Sequence, residues 1–79
     1  MILQIITPEK TVFDGEVQSV TLPGTLGLFE VLKNHAPLIS SLTSGKISYV
    51  LPSGEQNEFE TKGGGFVEVS QNIVSVCVE

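Results

Sequence analysis

The feature that most restricts the fold of this chain is a series of short runs in which apolar and polar residues alternate. In the run 46–51, for example, Ile47, Tyr49 and Leu51 share one face of an extended strand. No window of about ten residues or more combines helical spacing of apolar residues with helix caps. Turn-forming residues, among them 8 glycines and 4 prolines, separate the runs. This pattern predicts an all-β fold, either a sandwich or a barrel.

The alternating runs predict strands at residues 3–7, 10–13, 16–22, 38–42, 46–51, 55–62, 66–70 and 73–78. Asp14-Gly15 is a strong hairpin signal and predicts a turn after the second of them. Val17 has the opposite parity to Val20, which predicts a bulge or a strand covered on both faces. The three glycines at 63–65 lie between two predicted strands, so we expect a close approach of two backbone segments or a sharp corner.

Between residues 23 and 38, an apolar segment is bracketed by two turn signals. Pro23-Gly24 opens it, and Asn-His-Ala-Pro, ending at Pro37, closes it. A loop cannot bury all of its apolar side chains by itself, which here are those of Leu26, Leu28, Phe29 and Leu32. Several apolar residues in one surface loop usually mark a contact surface. We therefore expect this segment to be tucked into the fold or covered by a partner.

The charge balance limits the classes of partner. Lys and Arg number 4 against 9 acids, a net charge of −5, whereas a nucleic-acid groove or a polybasic membrane anchor needs an excess of positive charge. No apolar run approaches the roughly 20 residues that cross a bilayer, and the residues after Met1 do not resemble a signal peptide. The single cysteine, Cys77, cannot form an internal disulfide, which is typical of a reducing compartment such as the cytosol.

Few residues in the chain could carry chemistry. His35 and Cys77 could act as base and nucleophile, but Cys77 stands between two valines, where a cysteine usually packs as a small hydrophobe. The spacings of a zinc, calcium or phosphate-loop site are absent. We therefore expect an interaction module without catalytic residues, metal or cofactor. Two roles stay open for His35: fixing the turn through a loop carbonyl, or contacting a partner.

A series of motifs runs through nearly the whole chain in a fixed order. It consists of Phe13-Asp14-Gly15-Glu16-Val17-Gln18-Ser19-Val20-Thr21-Leu22-Pro23-Gly24, Gly27, His35-Ala36-Pro37-Leu38, Leu42, Gly45, Gly64-Gly65-Phe66-Val67-Glu68-Val69 and Asn72-Ile73-Val74-Ser75-Val76. Together these motifs resemble the amino-terminal domain of the epsilon subunit of F-type ATP synthases.

This resemblance implies a single domain over residues 1–79, a flattened ten-stranded β-sandwich or barrel of two packed antiparallel sheets. The implied function is that of a non-catalytic subunit of the central stalk, or rotor. Such a subunit links the gamma subunit to the membrane c-ring and supports the coupling of proton flow to ATP synthesis. The implied location is peripheral, on the cytoplasmic side of the bacterial inner membrane, without direct insertion.

The alternative function is that of a free-standing small β adaptor or carrier domain. A carrier needs a lysine at a hairpin tip. Lys33 and Lys62 lie near predicted turns, but neither stands in the Met-Lys-Met setting that is typical of biotin and lipoyl carriers.

The resemblance also implies which residues contact the partners. In this family the loop that matches residues 24–32 faces the c-ring, which here selects Thr25, Leu26, Leu28, Phe29 and Glu30. The positions that lie toward gamma are Thr7, His35 and Ser40.

Two departures from the family pattern modify these expectations. Leu28 stands where family members often have an acid, and Glu30 replaces a glycine. We expect Leu28 and Phe29 to offer apolar contact and Glu30 to take over the charge role. Typical members continue into a carboxy-terminal helical hairpin that can brake ATP hydrolysis, for which these 79 residues leave no room. We therefore expect a fold without that hairpin and without the inhibition that it exerts.

Overall fold

The computed structural model describes residues 1–79, which form nine β-strands joined by turns. The strands are β1 (Ile2–Ile6), β2 (Thr11–Glu16), β3 (Ser19–Gly24), β4 (Gly27–Leu32), β5 (Leu38–Leu42), β6 (Gly45–Val50), β7 (Gln56–Thr61), β8 (Gly65–Ser70) and β9 (Ile73–Val78). These residues include no helix, and hence none able to span a membrane. The predicted all-β class is confirmed, and no helical hairpin is present among these residues.

All nine strands belong to one curled sheet with the order β2-β1-β9-β8-β5-β3-β6-β7, and β4 pairs with the free side of β3. The pairing of β1 with β9 is parallel, and the other pairings are antiparallel. The expectation of ten strands in two antiparallel sheets is therefore corrected to nine strands in one sheet. The physical reason is that a narrow link joins what would otherwise be two sheets. It consists of the pairing of Gly24 in β3 with Leu42 in β5, beside a 2.9 Å hydrogen bond from the Thr43 amide to the Pro23 carbonyl.

This narrow link divides the sheet into a first half (β2, β1, β9, β8 and β5) and a second half (β4, β3, β6 and β7) that enclose one hydrophobic core. The core contains 14 buried hydrophobic residues, for example Leu3 and Val67 from the first half and Ile47 from the second. Across the core, the ring centroid of Phe13 in β2 lies 4.6 Å from that of Tyr49 in β6, with the planes tilted by 42°. Close-packed interiors of this kind resist deformation.

The expected turn at Asp14-Gly15 is wrong. Both residues lie within β2, where Asp14 pairs with Gln4 and Gly15 with Leu3. The continuous ladder with β1 outweighs the local turn preference of the Asp-Gly pair, because strand propensity depends on cross-strand pairing.

The change of parity between Val17 and Val20 marks a passage between the two halves of the sheet, not a bulge inside one strand. The Val17 amide donates to the Met1 carbonyl in the first half, at 2.9 Å. The next amide, of Gln18, donates to the Val50 carbonyl in the second half, at 2.6 Å. The chain therefore changes partners between β2 and β3, and its side-chain alternation starts again in β3.

The apolar segment expected to be a loop is mainly a β-hairpin. β3 continues through Pro23 and Gly24, Thr25 and Leu26 form the turn, and β4 returns along β3. Proline fits here because it pairs with Leu28 at a position where no amide hydrogen is needed. A strand ladder therefore fixes the shape of this segment.

The expected close approach of backbone at the three glycines is confirmed. Gly64 has φ of 73°, and a Cβ at that position would clash with the Leu42 carbonyl. A Cβ at Gly65 would clash with the carbonyl of Cys77. The buried hydroxyl of Thr61 accepts the Gly64 amide at 3.2 Å and donates to the Glu79 carbonyl at 2.8 Å. This corner ties β7 of the second half to β8 of the first.

Candidate interaction surfaces

The tip and outer side of the β3–β4 hairpin form the first candidate surface, which we call the hairpin surface and define as Thr25, Leu26, Leu28, Glu30 and Leu32. All five residues are exposed, Leu26 completely and Leu28 by 74%. The turn itself is anchored, because the Thr25 amide donates to the Ser41 carbonyl at 3.2 Å and the two hydroxyls lie 3.0 Å apart. The hairpin surface is thus apolar, carries one acid and is held in a fixed place.

Phe29, which the sequence placed with these residues, has a different environment. The alternation of β4 turns Phe29 and Val31 inward while Leu28 and Glu30 face out. Phe29 packs against the core, and a Cβ at Gly24 would lie 2.9 Å from the Phe29 ring. This residue therefore supports the hairpin from beneath, and its contact with the c-ring stays a prediction.

The outer side of the first half carries a second candidate surface, which we call the apolar face and define as Ile6, Ile39, Phe66 and Ile73. The ladder places them on one side of the sheet, since Ile6 and Phe66 both pair with Cys77 and Ile39 pairs with Glu68 of β8. Glu68 and Ser75 lie on this side too, in the row between Phe66 and Ile73, so the face is apolar with one acid among its isoleucines. Each is exposed, Phe66 by 51% and Ile39 by 75%. Exposed apolar residues that gather on one face usually mark an interaction site.

Sequence reasoning did not find the apolar face. Its members come from four strands that are distant in sequence, and only the register brings them together. A signal was present, however. In β8, Phe66 has the opposite parity to the buried Val67 and Val69, and in β5 Ile39 has the opposite parity to Leu38 and Leu42. An apolar residue on the polar side of a strand is the pattern that could have found it.

On the second half, the outer side of β3, β6 and β7 differs from this, although its ladder rows continue into Glu30 and Leu32 of the hairpin surface. We call it the polar face and define it as Ser19, Thr21, Ser48, Gln56 and Glu58. These residues lie in two ladder rows, in one of which Val50 stands between Ser19 and Gln56. Glu58 approaches the ammonium group of Lys46 at 3.7 Å. Pairs of this kind on exposed side chains contribute little stability. The polar face therefore has the composition of an ordinary solvated surface.

The three residues expected to lie toward gamma do not converge. Thr7 lies next to Ile6 of the apolar face, where its hydroxyl donates to the Lys10 carbonyl at 3.1 Å and closes the β1–β2 turn. His35 and Ser40 instead line a groove between β4 and β5, together with Leu28 and Glu30 of the hairpin surface. Their contact roles stay predictions.

His35 is half-buried, and its imidazole Nδ1 lies 2.7 Å from the Ala36 carbonyl oxygen. Of the two roles considered for this residue, the structure therefore contains the first, a contact that fixes the turn. The loop is held further by a reciprocal pair: the Asn34 amide donates to Asn72 Oδ1 at 2.6 Å, and Asn72 Nδ2 donates to Asn34 Oδ1 at 3.1 Å. Both asparagines have left-handed backbone, at φ of 66° and 62°, which asparagine tolerates better than most residues.

The side chains that could take part in catalysis or metal binding lie far apart. Cys77 is half-buried on the outer side of β9 near its end, while His35 lies in the β4–β5 loop, which Asn34 joins to Asn72 at the beginning of β9. No group of three or more His, Cys, Asp or Glu residues could hold a metal ion. Burial raises the pKa of the Tyr49 phenol above its ordinary 10.0, and this residue lies inside the core. The geometry therefore provides surfaces for contact.

Comparison with known proteins assigns this domain to a family. The family model described as the ATP synthase, Delta/Epsilon chain, beta-sandwich domain matches residues 1–79. The ATP synthase epsilon chain of Chlorobaculum tepidum is 50% identical over 77 residues, which are 98% of this chain and 86% of that protein. The epsilon chain of Leptospira borgpetersenii is 39% identical, with 98% of this chain and 59% of that protein covered.

Solved structures agree on the fold. A chain of the Euglena gracilis mitochondrial ATP synthase (OSCP, F1 and c-ring) superposes with a TM-score of 0.90 at 21% identity, over 99% of this chain and 49% of that one. A chain from the central stalk and c-ring structure of the Tetrahymena thermophila mitochondrial ATP synthase superposes with a TM-score of 0.81 at 22% identity, over 99% of this chain and 62% of that one.

The chain belongs to the ATP synthase delta/epsilon family, matched over the β-sandwich domain of that family. The resemblance to the epsilon subunit that was read from its motifs is thereby confirmed. None of these relatives favours the adaptor or carrier alternative.

Proposed function

We propose that this chain is a non-catalytic element of the ATP synthase central stalk that links the gamma subunit to the c-ring and thereby supports the coupling of proton flow to ATP synthesis. The observation that carries the proposal is the presence of two separate apolar surfaces on one stiff β body. A connecting element between two partners needs two such surfaces, and it needs a core that does not yield under torque.

The apolar face is the surface that we assign to gamma. It offers a large aromatic side chain, Phe66, flanked by exposed isoleucines, and interface cores are enriched in residues of this kind. Thr7 borders this face at the end of β1. His35 and Ser40 lie where the apolar face meets the hairpin surface, and we assign them to the border of the gamma contact.

The hairpin surface is the part that we assign to the c-ring. Thr25 and Leu26 form its tip, and Leu28 and Glu30 follow on the outer side of β4. Phe29 supports them from below. Glu30 supplies the negative charge and Leu28 the apolar contact, because Leu28 stands where family members often have an acid and Glu30 replaces a glycine.

The proposed location follows from these partners. An element that rests on the c-ring is associated with the membrane through the complex, and we place it on the cytoplasmic side of the bacterial inner membrane. The net charge of −5 agrees with attachment through proteins and not through anionic lipid headgroups.

The experiment that tests the proposal is reconstitution of the synthase with variants of each surface. Leu28→Ala and Glu30→Gln are expected to lower ATP-driven proton pumping while ATP hydrolysis continues, because the ring contact couples the two. Ser48→Ala on the polar face is the matched control and is expected to change neither. Unchanged pumping in both hairpin variants would remove the ring contact from the proposal, and failure of gamma to co-purify with the wild-type chain would remove the stalk function.

A further inference from the structure

Three strands of the sheet, β2, β7 and β4, form edges that pair on one side only. Exposed edges recruit foreign strands, and proteins commonly block them with charged side chains. β7 carries Glu58 and Glu60 on its outer side, and β2 carries Asp14 and Glu16. The β4 edge is protected by one acid only and otherwise presents exposed leucines, which makes it different from the other two.

The backbone of β4 is oriented to accept a further strand. Pro23 of β3 pairs with Leu28, has no amide hydrogen and turns its carbonyl to Thr43 on the other side of β3. In an antiparallel ladder, hydrogen-bonded and non-bonded pairs alternate, so Leu28 and Glu30 both direct their amide and carbonyl groups away from β3. Neither residue has a turn or side-chain hydrogen bond that uses these groups. The β4 edge therefore offers alternating free donors and acceptors.

A groove of about 450 Å³ lies directly beside this edge. Its far wall consists of Leu38 and the exposed Ile39 of β5, and its near wall contains Leu28. One end is closed where Thr25 bonds to Ser41. A strand that lay along β4 would place its side chains against this apolar wall.

Among the acidic and basic side chains, lysine and arginine included, the one that lines the groove is an acid, beside His35. Glu30 lines it, and Glu68 pairs with Ile39 on the neighbouring strand. Neither forms a salt bridge, since the one ion pair of the structure joins Lys46 and Glu58. The lining includes no lysine or arginine. Charge complementarity therefore selects an occupant with basic side chains.

We propose that the β4 edge accepts an extended segment of a protein partner as an additional strand, with apolar side chains over Leu28 and Ile39 and a lysine or arginine beside Glu30. Main-chain hydrogen bonds to Leu28 and Glu30 supply the affinity in this mode of recognition, and the side-chain pockets supply the selectivity. The inference goes beyond the proposed function, because it concerns the bonding edge of β4 and holds whichever protein provides the segment.

The test uses the full chain and a synthetic peptide of about ten residues in which valine and lysine alternate, matching the apolar wall and the acids. Amide hydrogen exchange is measured by NMR with and without the peptide. We expect exchange at the Leu28 and Glu30 amides to slow by at least about tenfold. Protection at β2 or β7 instead, or no protection at any edge, would overturn the proposal.

Two peptide controls separate backbone pairing from simple apolar or charge contact. A version that is N-methylated at every amide keeps the side chains but loses its donors, and a version with glutamate for lysine reverses the charge. Each is expected to bind at least about tenfold more weakly. Equal binding of the methylated peptide contradicts strand addition, and equal binding of the acidic peptide contradicts the choice of a basic occupant.

A pair of variants tests the same point from the side of the protein. Leu28→Pro removes the free amide at a position where an edge strand tolerates proline, whereas Leu28→Ala removes only the side chain. We expect the proline variant to lose at least about tenfold in affinity and the alanine variant about threefold. Equal affinities of the two would overturn the proposal, and the methylated peptide decides the question if the proline variant does not fold.

Discussion

The two outer sides of this domain are built from the same kind of strand but have opposite character. On the first half, Ile6, Ile39, Phe66 and Ile73 are exposed together on the apolar face. On the second half, the outer side of β3, β6 and β7 carries serine, threonine, glutamine and glutamate, with Val50 as the one apolar residue of the two rows, and the exposed leucines are confined to the hairpin surface. Both sides cover the same core, so packing inside the domain does not require the difference. The proposed function explains the difference, since it places a partner on the apolar face and solvent on the polar face.

The largest effect is expected from a charge introduced on the apolar face, compared with the same charge on the polar face. Phe66→Glu replaces the aromatic side chain of the apolar face with a second acid beside Glu68 and is expected to weaken gamma binding by at least about a hundredfold, which is the range of an interface hot spot. Ser48→Glu makes the same addition on the polar face and is expected to change affinity by less than about twofold. Titration calorimetry with purified gamma measures both. Similar losses in the two variants would show that the faces do not differ in function.

A second prediction concerns the corner that holds the two halves together. At Gly64, a side chain would meet both left-handed backbone and the Leu42 carbonyl, so Gly64→Ala is expected to lower the free energy of unfolding by about 3 kcal/mol. Gly54 has φ of 94° and open space around it, so Gly54→Ala is expected to lower that free energy by about 1 kcal/mol. Urea unfolding measures both values, and equal losses would mean that the close approach at Gly64 does not stabilise the fold.

The contrast between the two outer faces also shows how far the sequence alone can be taken. The alternation of apolar residues predicted the strands of the core, and the turn pairs predicted most of their ends. Side-chain alternation is a local property, which is why Ile47 and Tyr49 were placed correctly on one face of their strand, the face that the structure buries.

The apolar face could not be predicted in the same way, because it depends on which strands become neighbours. Ile6 and Phe66 are joined through Cys77 by the parallel pairing of β1 with β9, a long-range contact with no local signal. Asp14-Gly15 failed as a turn for the same reason, since pairing with β1 overrode the preference of two residues. The partner residues Thr7, His35 and Ser40 came from family resemblance, and composition carried no information about them.

A third prediction tests whether the loop that carries His35 is positioned by the asparagine pair. Asn72→Gly keeps the left-handed backbone and loses the side-chain bonds, whereas Asn72→Ala loses both. We expect a loss of about 1 kcal/mol in the free energy of unfolding for glycine and about 2 kcal/mol for alanine. In both variants the NMR signals of His35 are expected to shift, and unshifted signals would mean that the pair does not hold this loop.

The smallest effect is expected at alkaline pH. Burial raises the pKa of Tyr49 above 10.0, so the unfolded chain loses this proton at lower pH than the folded one. The contribution of the buried, neutral phenol to the free energy of unfolding is therefore complete below pH 10, and it is lost as the pH rises from 10.0 through the pKa of the folded state. One group changes stability by at most about 1.4 kcal/mol per pH unit. Above pH 10, the melting temperature of the Tyr49→Phe variant is expected to fall less steeply with pH than that of the wild-type chain. An identical slope in the two proteins would contradict the burial of this phenol between the two halves.

The most direct test of the difference between the two faces is cysteine labelling in the assembled synthase. With Cys77→Ser as the background, Phe66→Cys and Ser48→Cys each place one thiol on an outer face. The rate of maleimide labelling is compared between the isolated chain and the assembled complex. The account predicts that assembly slows labelling at position 66 by at least about tenfold and leaves position 48 unchanged. Free labelling at position 66 in the complex, or protection at position 48 instead, would contradict it.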